Sequence, residues 1–276
     1  MGGRDPARAG GVLGGDRRGA GGVAPVGLGA VLLSGLEPGA RIEDQDLSAA
    51  DWTDADLADA VFAGCRMDGV AFSNTVLQGA RFERCRLTRC RFSHADLREA
   101  VFEDCSFADR DQGAVFAFTR LDEARFARCD LSRARFDGAD LYAVVMDACN
   151  LMGAAFPRSS FSRAFGRNVV RAAATLTDCN LGLVELGGAR LPGCDLSRSR
   201  LREADLSRAD LEGANLAGAD LFQAIIDETR LAGADLRGAE VSGLDIRRLA
   251  TYRDLKITPD QQYRLLDAMG IDVQPE

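Results

Sequence analysis

From Ile42 onward, every fifth residue of the chain is large and apolar. The series runs Ile42, Leu47, Trp52, Leu57, Phe62, Met67, Phe72, Leu77, Phe82, Leu87, Phe92, Leu97, Phe102, Phe107. After a break it resumes one residue out of phase at Phe116 and continues to Phe161. After a second break it runs from Leu176 to Ile246. A helix repeats its apolar face every 3.6 residues and a half-buried strand every two, so a period of five fits neither. Two residues before each central residue sits a small one, as in Ala55, Ala60, Cys65, Cys85, Ala204 and Ala209. In an extended segment, positions i−2 and i share a side. Both therefore face inward, and a turn must close each group of five. One coil cannot bury its own central residues, so coils must stack. Coils stacked about 4.8 Å apart make a rod.

Composition narrows the functions open to such a rod. The chain carries a net charge of −8 and a pI near 4.9, which argues against a generic nucleic-acid binder. Its only histidine is His94, at a corner position, which excludes most histidine-based metal sites and catalytic triads. No apolar run approaches the roughly 20 residues of a membrane-spanning helix. The eight cysteines (65, 85, 90, 105, 129, 149, 179 and 194) all fall at i−2 positions where alanine is the usual alternative. They read as small buried hydrophobes with reduced thiols, in a cytoplasmic setting. No residue is assigned a catalytic, cofactor-binding or metal-binding role, and no enzymatic activity is expected.

Residues 1–40 are Gly/Ala-rich without a period and read as a disordered extension. The solenoid is assigned to 41–248, with loops at about 108–115 and 162–175. In the first break, Arg110, Asp111, Gln112 and Gly113 fall outside the repeat and read as a projecting loop. In the second, Gly166 and Arg171 occupy central slots, so either two faces are irregular or about ten residues loop out. Residues 249–276 form a C-terminal segment. Thr258, Pro259 and Gln261 start a helix, Gln262, Leu265, Leu266 and Met269 make its stripe, and Gly270 stops it. The helix caps the open end of the solenoid, makes a dimer contact through Tyr263, Leu266, Met269 and Ile271, or does both.

The motif small, polar, Leu/Phe, polar, Gly-like, cleanest in ADLSRADLEGANLAGADL (204–221), resembles the pentapeptide-repeat family. The resemblance covers about 42–248. It implies an all-β fold, a right-handed quadrilateral β-solenoid with four pentapeptides per coil, here followed by a short C-terminal α-helix. With four faces, the phenylalanines that recur every ten residues from Phe62 to Phe102 stack on two opposite faces. The CSFADRDQGAVF segment, the irregular 164–175 stretch and the C-terminal helix ending in Gly270-Ile271 are similar to the Qnr-type topoisomerase-protecting proteins. That likeness implies a homodimer joined at its C-terminal ends. The implied partner is DNA gyrase, or topoisomerase IV, protected from a quinolone or a self-made toxin. The chain departs from that pattern in its 1–40 extension, its longer run of repeats before the first loop and its arginine content. The alternative is an interaction scaffold with a different partner.

Such proteins are described as mimicking duplex DNA. Residues 41–107 hold 13 acids and 8 bases, 108–175 hold 8 and 10, and 176–276 hold 18 and 12. With the four pentapeptides per coil that the resemblance implies, the rod is about 50 Å long; a duplex of that length carries roughly 30 charges, so mimicry here must come from rod shape and a local face. Candidate partner-binding residues are the first loop, Arg167 and Asn168 in the second, and Asp195, Asp205, Asp210, Asp220 and Asp235. Asp195, Asn215 and Asp235 form one column, with the other aspartates on neighbouring faces.

Overall fold

The computed structural model describes residues 36–48, 50–166 and 170–274. Seven short strands stack in parallel along one face: β1 (Arg41–Glu43), β2 (Val61–Ala63), β3 (Arg81–Glu83), β4 (Val101–Glu103), β5 (Arg125–Ala127), β6 (Val144–Asp147) and β9 (Ala174–Thr177). Single parallel bridges continue this column through Asp195, Asn215 and Asp235 to Lys256. Three further columns begin at Asp46, Asp51 and Asp56, each bridged to the residue twenty further on. Each coil thus has four sides of five residues. We number the sides from the one carrying the strands.

One pentad shows why this sequence makes this turn. The Ala204 N–H donates to Leu201 O across the corner at 3.1 Å. Asp205 N–H reaches back one coil to Val184 O (2.9 Å), while Leu206 and Arg208 reach forward to Ile225 O (2.9 Å) and Asp227 O (2.7 Å). The remaining donor, Ser207 N–H, has no backbone acceptor, and the Asp205 carboxylate takes it at 2.9 Å. Every backbone donor is therefore paired. Arg208 has φ of +58°, the left-handed conformation required at the third residue of a type II turn. Where Asp or Asn precedes the central residue it can cap its turn in this way, as Asp195, Asp210, Asn215, Asp220 and Asp235 also do.

The interior is filled by the central residues. All but the terminal Ile42 and Ile246 are buried. Phe62, Phe82, Phe102 and Phe126 stack on the first face at 4.7–4.9 Å between ring centroids. Phe72, Phe92, Phe116, Phe136 and Phe156 stack on the third at 4.6–4.9 Å. Trp52 closes the N-terminal end of both stacks.

The corner after the first face differs from the others. Cys65, Cys85, Cys105, Cys129, Cys149 and Cys179 lie there on six successive coils, all buried. The Cys85 N–H donates to Cys105 Sγ and the Cys129 N–H to Cys149 Sγ, each at 3.4 Å. The Cys179 N–H donates to Ser199 Oγ at 2.9 Å. These side chains therefore act as hydrogen-bond acceptors as well as small apolar fillers.

The ends extend beyond the boundaries expected from sequence. Leu36 packs on the core and Gly39 N–H bonds Ala58 O, so residues 36–40 join the solenoid. Residues 1–35 lie outside the described residues. At the other end, a 3-10 turn (Ile246–Arg248) adds one residue, and Thr251 and Lys256 still bridge to Arg230 and Asp235. Helix α1 (Pro259–Ala268) follows. Its start is the expected capping box, with the Thr258 N–H on Gln261 Oε1 at 2.7 Å. The buried glutamine is Gln261, whose Nε2 donates to Leu236 O and Ala239 O on the last coil. Gln262, expected in the stripe, is exposed. Leu265 is buried, so the helix caps the end of the rod.

Candidate partner-binding surface

Two insertions interrupt the uniform wall. At the first, the coil register lengthens from 20 to 24, as in Arg91 to Val115, so Arg110–Gly113 are four added residues. They leave the corner between the second and third faces. The Asp109 carboxylate accepts the N–H groups of Asp111 (3.0 Å) and Gln112 (2.9 Å), which hold its carboxyl below the usual range. Arg133 Nη1 bonds Arg110 O in the coil behind. A Cβ on Gly113 would lie 2.4 Å from Ala134 N and the Arg133 carbonyl carbon, so only glycine permits this approach. Arg110, Asp111 and Gln112 are exposed on a loop held against the wall.

At the second insertion the register lengthens to 30, from Val145 to Thr175. Ten residues loop out; the alternative of two irregular faces does not occur. β7 (Ser162–Ala164) pairs antiparallel with β8 (Val170–Ala172) in a hairpin at the corner between the fourth and first faces. This corner is diagonally opposite the first loop and two and a half coils further along the rod. Arg163 anchors the hairpin to the fourth face. Its guanidinium pairs with the buried Asp122, reaches Asp140 Oδ2 at 3.3 Å and lies over the Tyr142 ring at 4.7 Å. Phe165 packs on Tyr142 at 5.7 Å yet remains half exposed, and Val170 is exposed beside it. Arg167 and Asn168 lie outside the described residues.

The aspartates do not form one acidic surface. Asp195 and Asp235 share the first face with Asn215 and Lys256. Asp220 stands on the second face between Arg200 and Glu240, Asp205 on the third between Glu185 and Ile225, and Asp210 on the fourth between Arg190 and Arg230. Asp235 is paired with Arg237 at 2.6 Å, which pulls its carboxyl down to about 2. Asp220 is paired with Arg202 at 3.0 Å, and Asp195 accepts Asn215 Nδ2 at 3.0 Å. Interleaved arginines cancel much of the field that a carboxylate column would project.

The C-terminal segment carries exposed apolar side chains. Tyr263 and Ile271 are exposed, as are Tyr252 and Ile257, while Leu266 and Met269 are half-buried. Among the described residues no helix is long and apolar enough to cross a membrane.

Sequence reading missed the residues that hold the hairpin. Asp122 and Arg163 are 41 positions apart, and nothing local couples them. The thiol column was legible in principle, because 65, 85 and 105 are twenty apart and 129, 149 and 179 follow once inserts of four and ten are allowed.

The pentapeptide repeat region family model matches residues 43–111. The pentapeptide repeats (8 copies) model matches 112–147, 179–216 and 214–248. The chain belongs to the pentapeptide-repeat family. Full-length QnrB1, a plasmid-mediated fluoroquinolone resistance protein, superposes on this pentapeptide-repeat protein with a TM-score of 0.65 at 24% identity, covering 84% of this chain and 100% of QnrB1. A trypsin-treated variant of QnrB1 gives 0.64 at 24% identity, covering 86% and 99%. HetL, a pentapeptide-repeat protein from the cyanobacterium Nostoc, gives 0.40 at 25% identity, covering 80% and 88%. No curated protein matches the chain at the sequence level.

Proposed function

We propose that this pentapeptide-repeat protein binds a type II DNA topoisomerase, DNA gyrase and by extension topoisomerase IV, and protects it from a quinolone or a similar toxin. The observation that carries this reading is the pair of inserts at opposite corners of a rod that superposes on all of QnrB1. A uniform solenoid offers a partner no unique register, since successive coils repeat the same surface. Arg110–Gln112 and the β7–β8 hairpin break that symmetry and supply a position.

Rod shape contributes more to DNA mimicry than carboxylate columns do, because the aspartates serve first as turn caps and many are paired with arginine. The net charge of −8 still steers the rod toward a basic DNA-binding surface. Two protomers join through Tyr263, Leu266, Met269 and Ile271 to give a longer rod with a two-fold axis. The protein acts by binding, without a chemical step or cofactor, and in the cytoplasm where its target works. The test is gyrase supercoiling with and without ciprofloxacin in the presence of the chain. A wild-type protein without effect on gyrase assigns the rod to another partner.

A further inference from the structure

The corner that carries the first loop continues into an apolar ledge. Arg133, which holds Arg110 O, has its Cγ 3.8 Å from where a Cβ on Gly153 would stand, and Met152 Cγ lies 3.9 Å from the same point on Gly182. Backbone bonds set these residues rung on rung. Arg133 N–H donates to Met152 O (3.0 Å), Gly153 N–H to Gly182 O (2.8 Å) and Leu183 N–H to Arg202 O (3.0 Å). The loop, Met152 and Leu183 therefore share one edge of the rod, between the second and third faces. Met152 and Leu183 are 43% and 55% exposed, and Ile225, 45% exposed, follows on the third face two coils beyond Leu183.

Leu183 does not serve the stability of the wall. Its φ of +58° is the left-handed corner conformation, which Gly, Asp, Glu and Arg fill at most other corners. A branched apolar side chain is disfavoured there, and Leu183 gains no burial in return. Among the described residues no other branched aliphatic side chain takes this conformation. The flank of the ledge is acidic. Glu185 and Asp205 on the third face and Glu203 at the corner are paired with no arginine among the described residues. Arg202 beside them is committed to Asp220 at 3.0 Å and lies over the Phe222 ring at 4.5 Å.

We propose that this ledge seats a basic amphipathic α-helix of the topoisomerase, an assignment that rests on the function proposed above. Coils stack about 4.8 Å apart and a helix advances 5.4 Å per turn, so apolar side chains one turn apart meet Met152 and Leu183 on successive rungs. Ile225 lies about 14 Å beyond Met152, close to three helical turns. Lysines or arginines along one side of that helix face Glu185, Glu203 and Asp205. An extended segment does not fit, because the wall's backbone donors are already paired and offer no edge for strand addition. Nucleic acid would bring phosphate against carboxylate. A second copy meeting this patch about a two-fold axis would set the same carboxylates face to face.

Binding of gyrase to the full-length chain is measured by biolayer interferometry across a range of salt concentrations. Met152→Gln/Leu183→Asn is expected to weaken binding about 10-fold, mainly through faster dissociation. Leu183→Asn alone weakens binding while its melting temperature is no lower than that of the wild type, because asparagine accepts the left-handed corner. Glu185→Gln/Glu203→Gln slows association and flattens its salt dependence. Val76→Gln, at an exposed apolar position on the fourth face, leaves affinity unchanged. A photo-crosslinker at position 183 labels a helix of gyrase that carries lysine or arginine beside an apolar stripe. Wild-type affinity in Met152→Gln/Leu183→Asn, a melting temperature lowered by Leu183→Asn, or cross-links into acidic or non-helical segments overturns the ledge and leaves the gyrase assignment standing. A wild-type chain that does not bind gyrase overturns both.

Discussion

The guanidinium of Arg163 pairs with the carboxylate of Asp122, which is only 4% exposed and has no hydrogen-bond partner other than this ion-pair contact. This pair ties the hairpin to the solenoid wall across 41 residues of sequence. Removing the two partners is therefore not equivalent.

Arg163→Ala strands a buried charge and is expected to cost about 3–5 kcal/mol locally. Asp122→Asn leaves Arg163 half exposed, with Asp140 still in reach, and costs less. The double variant Asp122→Asn/Arg163→Ala recovers much of the single arginine loss. Thermal melts and limited proteolysis of the hairpin measure the cycle. Equal losses for both single variants contradict the assignment of Asp122 as the desolvated partner.

Deleting 110–113 restores the 20-residue register and removes no core residue, so the melting temperature is expected to stay within a few degrees of wild type. Gly113→Ala is the harsher change to the loop, because its methyl meets the Ala134 and Arg133 backbone at 2.4 Å. The loop must lift, losing the Arg133 contact to Arg110 O. Proteolysis within 109–113 should accelerate in Gly113→Ala while the far-ultraviolet spectrum is unchanged. Unfolding of the deletion variant would show that the insert supports the coil.

Turn-capping and charge can be separated by choice of substitution. Asp205→Ala loses the acceptor for Ser207 N–H and is expected to cost about 1 kcal/mol. Asp205→Asn keeps the acceptor, as Asn215 does for Ala217 N–H, and is nearly neutral. Asparagine at 195, 205, 210, 220 and 235 together therefore removes five charges without unfolding the rod. Chemical denaturation checks stability, and the salt dependence of gyrase binding checks charge. Loss of fold in the five-asparagine protein contradicts the capping role.

Acid stability follows from the same turns. Hydrogen bonds from Ser48 and Thr53 lower the carboxyls of Asp46 and Asp51, and the Arg237 hydrogen bond takes Asp235 to about 2. A carboxyl depressed in the folded state binds protons more readily when unfolded. Its contribution is present above the unfolded value of about 3.9 and is lost as pH falls toward about 2. Circular dichroism should show the native spectrum retained at pH 5 and stability declining between about pH 4 and 2. A loss of stability on raising the pH through this window contradicts the sign.

Much of this architecture was written in the five-residue period. Core assignment needs only the spacing of large residues, and the faces that stack phenylalanine follow from its ten-residue recurrence. The two breaks were visible because they shift the phase, but phase alone does not tell an insert from an irregular face. Only the 30-residue register between Val145 and Thr175 decides that. Asp205 and its equivalents read from sequence as exterior charge, because their hydrogen bond is to a backbone donor that no side-chain pattern displays. The Gln261 contacts to Leu236 O and Ala239 O were hidden for the same reason, so the glutamine of the stripe was placed one residue late while Leu265 was placed correctly.

The C-terminal segment is expected to make a dimer. Light scattering at micromolar concentration should give twice the chain mass for the intact protein and the single mass for Tyr263→Glu/Ile271→Glu, whose side chains are exposed and do not hold the helix to the rod. A monomeric intact chain contradicts the two-fold assembly.

The central claim is tested most directly by the ciprofloxacin concentration that half-inhibits gyrase supercoiling, measured with increasing amounts of the chain. The predicted result is a rise in that concentration as the chain approaches stoichiometry with gyrase, a rise lost when 110–113 is deleted from an otherwise folded protein. An unchanged half-inhibiting concentration at stoichiometric wild-type chain contradicts it.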